Sequence, residues 1–361
     1  MTQQKQNTIT TPPTSNSIGL SLKSKFLFTV RSIIFNLSCH PDGTVNRRLL
    51  NLADIHAPPS STPINGVISS DHTLDPSRNL WFRLFLPANF PATTSLPLII
   101  YFHGGGFVSF SPATVPFNTL CRKVAGDLAA AVISVNYRLS PEHRFPAPYD
   151  DGFDILKYLD DGCLLANVDL GRCFIAGDSA GGNVAHHLAV KASGTHFKAV
   201  RIRGLIAIQP FFGGEERMES ELRLGNGPLL TLDKTDFYWK AFLPNGSNRD
   251  HPGSNVFGPG SESVSGLDLY PPTLLVVGGL DLLQDWQRRY GDGLRRSGKV
   301  VELVEYSNVG HGFYSTSELP EYDMLVPRLK SLCKISNNWS LKLLKVVGLG
   351  ILLKGDAPVH V

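Results

Sequence analysis

Two kinds of periodicity organise the apolar residues of this chain. From about residue 65 onward, short apolar runs typical of buried strands alternate with stretches of helical spacing. The predicted strands are 79–87, 96–102, 130–137, 172–177, 203–209, 273–279 and 299–306. The predicted helices between them are 113–126, 149–159, 182–192 and 284–296. This alternation predicts an α/β fold with a mostly parallel central sheet and helices on both faces. Only 79–87 alternates apolar and polar residues, as an exposed or antiparallel strand does.

The N-terminal part of the chain has a different pattern. Residues 1–20 are polar and contain a Pro- and Ser-rich run, which predicts a disordered N-terminus. Residues 21–64 predict a helix followed by an extended linker at 57–63. One apolar stripe at helical spacing consists of Leu22, Phe26, Val30, Ile33, Ile34 and Leu37. We expect this stripe to pack the helix on the globular body, with binding at a membrane surface as the alternative.

The main domain is predicted to span 65–333. Within it, residues 211–270 are rich in Gly, Pro and aromatic side chains, which favours an inserted cap over the site. The last predicted helix contains Pro327, which should kink or shorten it. Residues 334–361 are apolar but interrupted by charges and glycines, and form an atypical C-terminal tail.

Composition restricts the classes of ligand. The 361 residues carry a net charge of +3 without a sustained Lys/Arg block, so nucleic acid is not an expected partner. The five cysteines show no CxxC pair and no Cys/His cluster, which argues against disulfide scaffolds and metal sites and for a reducing compartment. We expect a cytoplasmic protein, with the nucleus also open and an organelle transit peptide as the alternative. No apolar run is long enough to predict a membrane span.

A candidate nucleophile follows the predicted strand 172–177. The residues Gly177-Asp178-Ser179-Ala180-Gly181 match G-x-S-x-G between a strand and a helix. At such a strand-to-helix turn the serine is exposed, small neighbours avoid clashes, and the next amide faces the reacting carbonyl. Ser179 is therefore the predicted nucleophile, with a small-residue turn as the structural alternative.

A serine hydroxyl needs a base and a group that orients the base. Asp281 follows the predicted strand 273–279, and His311 follows 299–306, so both lie just past strands in the order Ser, Asp, His. Asp285 is the alternative acid, but it falls inside the next predicted helix. The other histidines in the body lack this context of strand, glycine and small loop, so His311 is the predicted base.

The stretch "HGGGF" after the strand 96–102 supplies candidate donors for an oxyanion. Glycines at a strand end let backbone N–H groups approach a substrate oxygen without a Cβ in the way. We assign this role to the amides of Gly105, Gly106 and Ala180, with His103 and Gly104 shaping the loop. A phosphate-binding loop is the rival, but neither GxGxxG nor GK[ST] is present here.

These motifs together resemble those of a known family. "HGGGF", "VNYRLSPEHRFPAPYDD", "GDSAGGN", "GLDLLQD" and "HGFY" are similar to the plant carboxylesterases of the hormone-sensitive-lipase group, to which the gibberellin receptors are related. The likeness covers roughly residues 22–333. Through "RSIIFNLSCHPDGTVNRRLLNLADIHAPP" and "LDPSRNLWFRLFLP" the chain looks especially like the carboxylesterase-18 type.

The resemblance implies an α/β-hydrolase fold, hydrolysis of small-molecule carboxylic esters, an N-terminal helical lid and no cofactor. Family members usually carry proline after the triad acid, whereas this chain has Leu282. The related receptors replace the triad histidine, and His311 is intact here. The resemblance therefore favours an esterase over a hormone-binding receptor, which stays open as the second hypothesis. A non-catalytic structural protein would have no need for these residues in this order.

Overall fold

The computed structural model describes residues 21–91, 95–162, 167–227, 229–316 and 318–335. These residues form eight strands: β1 (Val67–Asp75), β2 (Leu80–Pro87), β3 (Leu96–Phe102), β4 (Ala131–Asn136), β5 (Val168–Asp178), β6 (Ile202–Ile208), β7 (Thr273–Gly278) and β8 (Val301–Tyr306). They also form the helices α1 (Leu22–Ser38), α2 (Arg47–Leu50), α3 (Val115–Leu128), α4 (Ala147–Asp160), α5 (Ala180–Ser193), α6 (Glu219–Leu224), α7 (Leu232–Phe242), α8 (Gln284–Arg296) and α9 (Pro320–Ile335). The predictions for 1–20, and for the tail beyond residue 335, lie outside the described residues.

All eight strands belong to one sheet, in the order β1-β2-β4-β3-β5-β6-β7-β8. β2 pairs antiparallel with both β1 and β4, whereas the strands from β4 to the β8 edge are mutually parallel. The predicted mostly parallel α/β sheet is confirmed. β2 is antiparallel as predicted, but it is largely buried rather than exposed because its side chains join the cores on both faces of the sheet, Leu84 on one and Phe85 on the other.

Apolar side chains fill both faces of the sheet, since successive residues of a strand point to opposite sides. In β3, Leu98 and Ile100 join the core packed by α4, α5 and α8, whereas Ile99 and Tyr101 join the core packed by α3 and α9. The continuous apolar runs in the sequence reflect this burial on two faces.

Two elements differ from what the sequence pattern indicates. β1 was not predicted, because its central residues Ser69 to Thr73 are polar and it forms the edge of the sheet. The last helix is not shortened at Pro327, because α9 continues through it to Ile335, whereas the alternative of a kink stays a prediction. Proline inside a helix costs about 3 kcal/mol. Burial of several apolar side chains of α9, among them Leu325 and Val326, offsets this at about 1.5–3 kcal/mol each.

Helix α1 forms over the predicted residues, but it packs through a different face. The exposed fractions of Leu22, Phe26, Ile33 and Leu37 are 86%, 67%, 53% and 61%, so most of the predicted stripe faces away from the body. Phe35 is 8% exposed and packs edge-on against Phe237 and Tyr238 of α7. The apolar stripe was misleading because the buried face contains polar residues that line a cavity, described below. Within the described residues, no helix is long and apolar enough to cross a membrane.

Candidate active site

Ser179 stands at a sharp turn between β5 and α5. Its backbone has φ 50° and ψ −119°, a conformation that non-glycine residues rarely adopt. The turn is held because the Ser179 N–H donates to the carbonyl of Ile208 in β6 at 2.9 Å, and its own carbonyl accepts from Phe211 at 2.8 Å. The adjacent strands thus hold the strained residue in place.

The glycines on either side of Ser179 are required by close packing. A Cβ on Gly177 would overlap the carbonyl of Gly181, and a Cβ on Gly181 would overlap the carbonyl of Phe102 at the end of β3. Helix α5 can therefore begin directly behind β3 and β5 only if both positions lack a side chain. The steric reason for the G-x-S-x-G pattern applies to this chain.

The three predicted triad side chains lie in one hydrogen-bonded row. His311 Nε2 lies 2.9 Å from Ser179 Oγ, and His311 Nδ1 lies 2.8 Å from Asp281 Oδ2. Asp281 is fully buried, whereas His311 is largely buried and lines the cavity in front of Ser179. Parallel strands bring these residues together because β5, β7 and β8 end at the same edge of the sheet.

Asp285, the alternative acid, is engaged elsewhere. Its Oδ2 accepts from the Ser220 amide at 2.9 Å and its Oδ1 pairs with Arg288 at 3.1 Å. The two histidines that follow the nucleophile, His186 and His187, lie in α5, and His186 contacts tyrosine hydroxyls rather than Ser179.

Two glutamines that sequence reasoning did not identify support this row. Gln287 Nε2 donates to Asp281 Oδ2 at 2.9 Å, and the Leu283 amide donates to Asp281 Oδ1 at 2.9 Å. Gln209, fully buried, donates to the carbonyl of Gly310 at 3.1 Å and accepts from the amide of Gly312 at 2.9 Å. Gln209 thereby holds the loop on both sides of His311. The sequence contained one indication of this role, which is the position of Gln209 directly after β6, because polar residues at this edge of the sheet lie near the site.

The glycine loop after β3 lines the same cavity as Ser179 and His311. Gly105 and Gly106 have φ of 113° and 62°, conformations that L side chains rarely adopt. In the described ranges neither of their amides donates a hydrogen bond to the protein. The Ala180 amide is in the first turn of α5, where N–H groups have no partner within the helix. Three amides are thus available beside Ser179.

His103 and Gly104 form the base of this loop. The His103 carbonyl accepts from the Tyr137 hydroxyl at 2.7 Å, and the ring stacks on Tyr137 with centroids 4.4 Å apart. Burial lowers the pKa of His103 to about 4, so its ring is neutral near pH 7. The Gly104 amide donates to Asp178 Oδ1 at 3.0 Å.

Asp178, the residue before the nucleophile, has a buried carboxyl group that accepts several hydrogen bonds. Burial raises its pKa to about 6, although hydrogen bonds from Tyr101 and Tyr314 oppose the shift. It connects the glycine loop to the loop that follows His311. The pattern G-x-S-x-G leaves this residue unspecified, so its role could not be read from the motif.

A cavity of about 160 Å³ opens in front of Ser179. Helix α1 contributes Phe28, Arg31, Ser32 and Phe35 to its wall, and α7 contributes Lys234 and Tyr238. In the parts of the chain that the structure describes, no cluster of side chains suited to a metal ion was found. Leu282 is buried beside the triad acid and leaves the Asp281 carboxylate in contact with His311.

Comparison with known proteins agrees with this geometry. A family described as having the alpha/beta hydrolase fold matches residues 99–315. The gibberellin receptor GID1C of Arabidopsis thaliana is 42% identical over 78% of this chain and 85% of its own length. Carboxylesterase 20 of the same plant is 38% identical over 76% of this chain and 88% of its own length.

A hyperthermophilic esterase from Pyrobaculum calidifontis superposes with a TM-score of 0.70 at 26% identity, covering 87% of this chain and 98% of that one. The family that the motifs predicted is confirmed, whereas the finer likeness to the carboxylesterase-18 type stays a prediction. The chain belongs to the α/β-hydrolase family that includes the plant carboxylesterases and the gibberellin receptors.

Proposed function

We propose that the protein is a serine carboxylesterase that hydrolyses small to medium carboxylic esters. The single observation that carries the proposal is the row Ser179–His311–Asp281, with 2.9 Å and 2.8 Å between the bonded atoms. These distances are within the range in which a base can take a proton from the hydroxyl.

In the proposed mechanism, Ser179 Oγ attacks the ester carbonyl while His311 Nε2 takes its proton. Asp281 holds the imidazole in the correct orientation and stabilises the imidazolium. The negative charge that develops on the carbonyl oxygen is stabilised by the amides of Gly105, Gly106 and Ala180. The intermediate collapses as His311 gives the proton to the leaving alcohol. Water, activated by His311, then releases the acid from the acyl-enzyme.

The glycine loop supports the proposal independently. Gly105 and Gly106 line the cavity with Ser179, their amides donate to no described residue, and the Ala180 amide follows Ser179 at the start of α5. We also assign α1 as a lid and residues 211–270, which contain α6 and α7, as a cap, because both contribute to the wall of the cavity. A cytoplasmic location is part of the proposal; Cys39, Cys121 and Cys173 are free thiols, as expected in a reducing compartment.

The test is turnover of p-nitrophenyl acetate and butyrate by the purified protein and by Ser179→Ala. We expect the variant to lose activity by about 10⁴-fold or more, because triad residues act as a unit. Ser193→Ala, at the other end of the same helix, is the matched control and should keep its activity. Equal turnover by Ser179→Ala and the control would refute the proposal.

A second candidate is a binding protein for a small hormone. It is favoured by the identity of 42% to a gibberellin receptor. Isothermal titration with gibberellin separates the two candidates, because tight binding without ester turnover would favour the receptor. Ester turnover that depends on Ser179 would favour the enzyme.

A further inference from the structure

Two cationic side chains line the cavity in front of Ser179 without a carboxylate partner. Arg31 comes from α1 and Lys234 from α7. In the described part of the chain, neither forms an ion pair. Buried or half-buried charges are normally paired, because leaving water without a partner is costly. Two unpaired positive charges in one cavity therefore require an explanation.

Lys234 is 8% exposed, and the contacts that its ammonium group makes with the described residues are to neutral groups. Its Nζ donates to Ser32 Oγ at 3.0 Å and to the carbonyl of Leu229 at 3.3 Å, and it lies 5.3 Å from the centre of the Phe35 ring. An ammonium group has three N–H donors, so one is left for a ligand. Burial lowers the pKa of Lys234, which agrees with the absence of a neutralising anion.

Arg31 packs its guanidinium over the Phe110 ring, 5.0 Å from the ring centre. Among the described residues it makes no hydrogen bond, although a guanidinium has five donors. Burial lowers its pKa, and the Asp54 carboxylate acts in the opposite direction without reaching ion-pair distance. Asp54 lines a different cavity, and its Oδ2 is bonded to His56.

Lys234 contacts α1 directly, because its Nζ donates to Ser32 Oγ, the residue that follows Arg31 in this helix. Among the described residues that line this cavity, Asp178 is the one with a carboxyl group. It accepts hydrogen bonds from the Gly104 amide and from two tyrosine hydroxyls, and it forms no ion pair with Arg31 or Lys234. The substrate cavity thus combines a wall of aromatic and leucine side chains with an excess of positive charge.

We propose that the substrate is an ester that carries an anionic group, a carboxylate on its acyl or its alcohol part, which binds in this cavity at Arg31 or Lys234. This inference rests on the proposed esterase function and specifies its substrate class. The carboxylate would accept hydrogen bonds from a guanidinium or an ammonium, which are stronger than those between neutral groups.

The experiment compares esters that differ in charge but hardly in size. For the acyl side, the pair is mono-(4-nitrophenyl) adipate and the 4-nitrophenyl ester of adipamic acid. For the alcohol side, the pair is 4-acetoxybenzoate and 4-acetoxybenzamide. In at least one pair we expect kcat/KM to be about tenfold to a hundredfold higher for the anion, as one or two charge-assisted hydrogen bonds would give. A ratio of one or less in both pairs would overturn the inference.

Variants assign the preference to the two cations. In Arg31→Gln and Lys234→Met the ratio of kcat/KM for the anionic over the neutral ester should fall towards one, and Lys234→Arg should restore part of it. Lys240→Met, an exposed lysine of the same helix, should keep the wild-type ratio. If both esters lose activity in equal proportion, the cations have a purely structural role and the inference is wrong. Should the variants fail to fold, the wild-type ratio alone decides.

Failure of the inference can be distinguished from failure of the proposed function. Turnover of the neutral and anionic esters at equal rates would leave the esterase standing and refute only the anionic substrate. Absence of Ser179-dependent turnover with every ester would refute the esterase, and the inference with it.

Discussion

The substitution Gly106→Ala tests whether the backbone amide of Gly106 takes part in the reaction or whether this glycine is needed only for the turn. A Cβ on Gly106 would lie inside 3.0 Å of three ring carbons of Tyr238, a separation that real Cβ atoms essentially never show. The Tyr238 ring cannot move away freely, because it packs against Phe35 with centroids 5.3 Å apart and against Phe211 at 6.2 Å. We therefore expect the glycine loop to shift and its amides to leave their positions beside Ser179.

The substitution is expected to lower both the stability of the protein and its kcat, and the two effects can be measured separately. Alanine at φ 62° costs roughly 1–2 kcal/mol of stability. Displacement of an oxyanion donor lowers kcat by about 10²- to 10³-fold, or about 2.7–4 kcal/mol of transition-state stabilisation. Gly246 is the matched control, since it has φ 83° and an added Cβ would meet nothing within 4 Å. Gly246→Ala should show the loss of stability without the loss of activity.

The assay is kcat and KM for p-nitrophenyl butyrate, measured beside thermal unfolding of both variants. We expect backbone strain to lower the stability of both variants by similar amounts, and the clash with Tyr238 to lower that of Gly106→Ala further. The drop in kcat should occur only in Gly106→Ala. If Gly106→Ala keeps kcat within about twofold of Gly246→Ala while folded, its amide has no part in oxyanion stabilisation.

The remaining predictions concern the acid, a buried carboxyl and the lid. Asp281→Asn should lower kcat by about 10⁴-fold through loss of the correct histidine tautomer, whereas Asp285→Asn should change it little; similar losses in both would contradict the assignment. The folded protein holds the Asp178 proton up to about pH 6, and the unfolded chain releases it near 3.8. The free energy of unfolding of the wild type relative to Asp178→Asn should therefore fall by up to about 3 kcal/mol as the pH rises through this window. Chemical denaturation at several pH values measures it, and a difference between the two proteins that does not change with pH would contradict the prediction. Phe35→Ala should destabilise the docked lid by about 3 kcal/mol, whereas Phe26→Ala, on the exposed face, should stay within about 0.5 kcal/mol; equal shifts in unfolding would contradict the packing of α1.

Local patterns in the sequence were sufficient for most of the sheet. The run 96–102 corresponds to β3 at both ends, and the helix predicted at 284–296 is α8. These elements are buried on one or two faces, so their apolar periodicity reports their structure directly. The proximity of Ser179, Asp281 and His311 could also be predicted, because each follows a strand and the ends of parallel strands meet at one edge of the sheet.

The face of α1 that packs on the body was decided only by the tertiary structure. Its most apolar stripe lies outside, and the inner face carries Arg31 and Ser32 beside Phe35. Hydrophobic periodicity predicts the buried side only where burial means contact with a dry core, and this helix covers a cavity with cations in its wall. The hydrogen bond from Gln287 in α8 to the Asp281 carboxylate likewise depends on how the turn between them folds, so the sequence does not predict it. Sequence determines which residues belong to which element, whereas contacts between side chains of distant elements, such as Ser32 and Lys234, follow only from the packing of the whole chain.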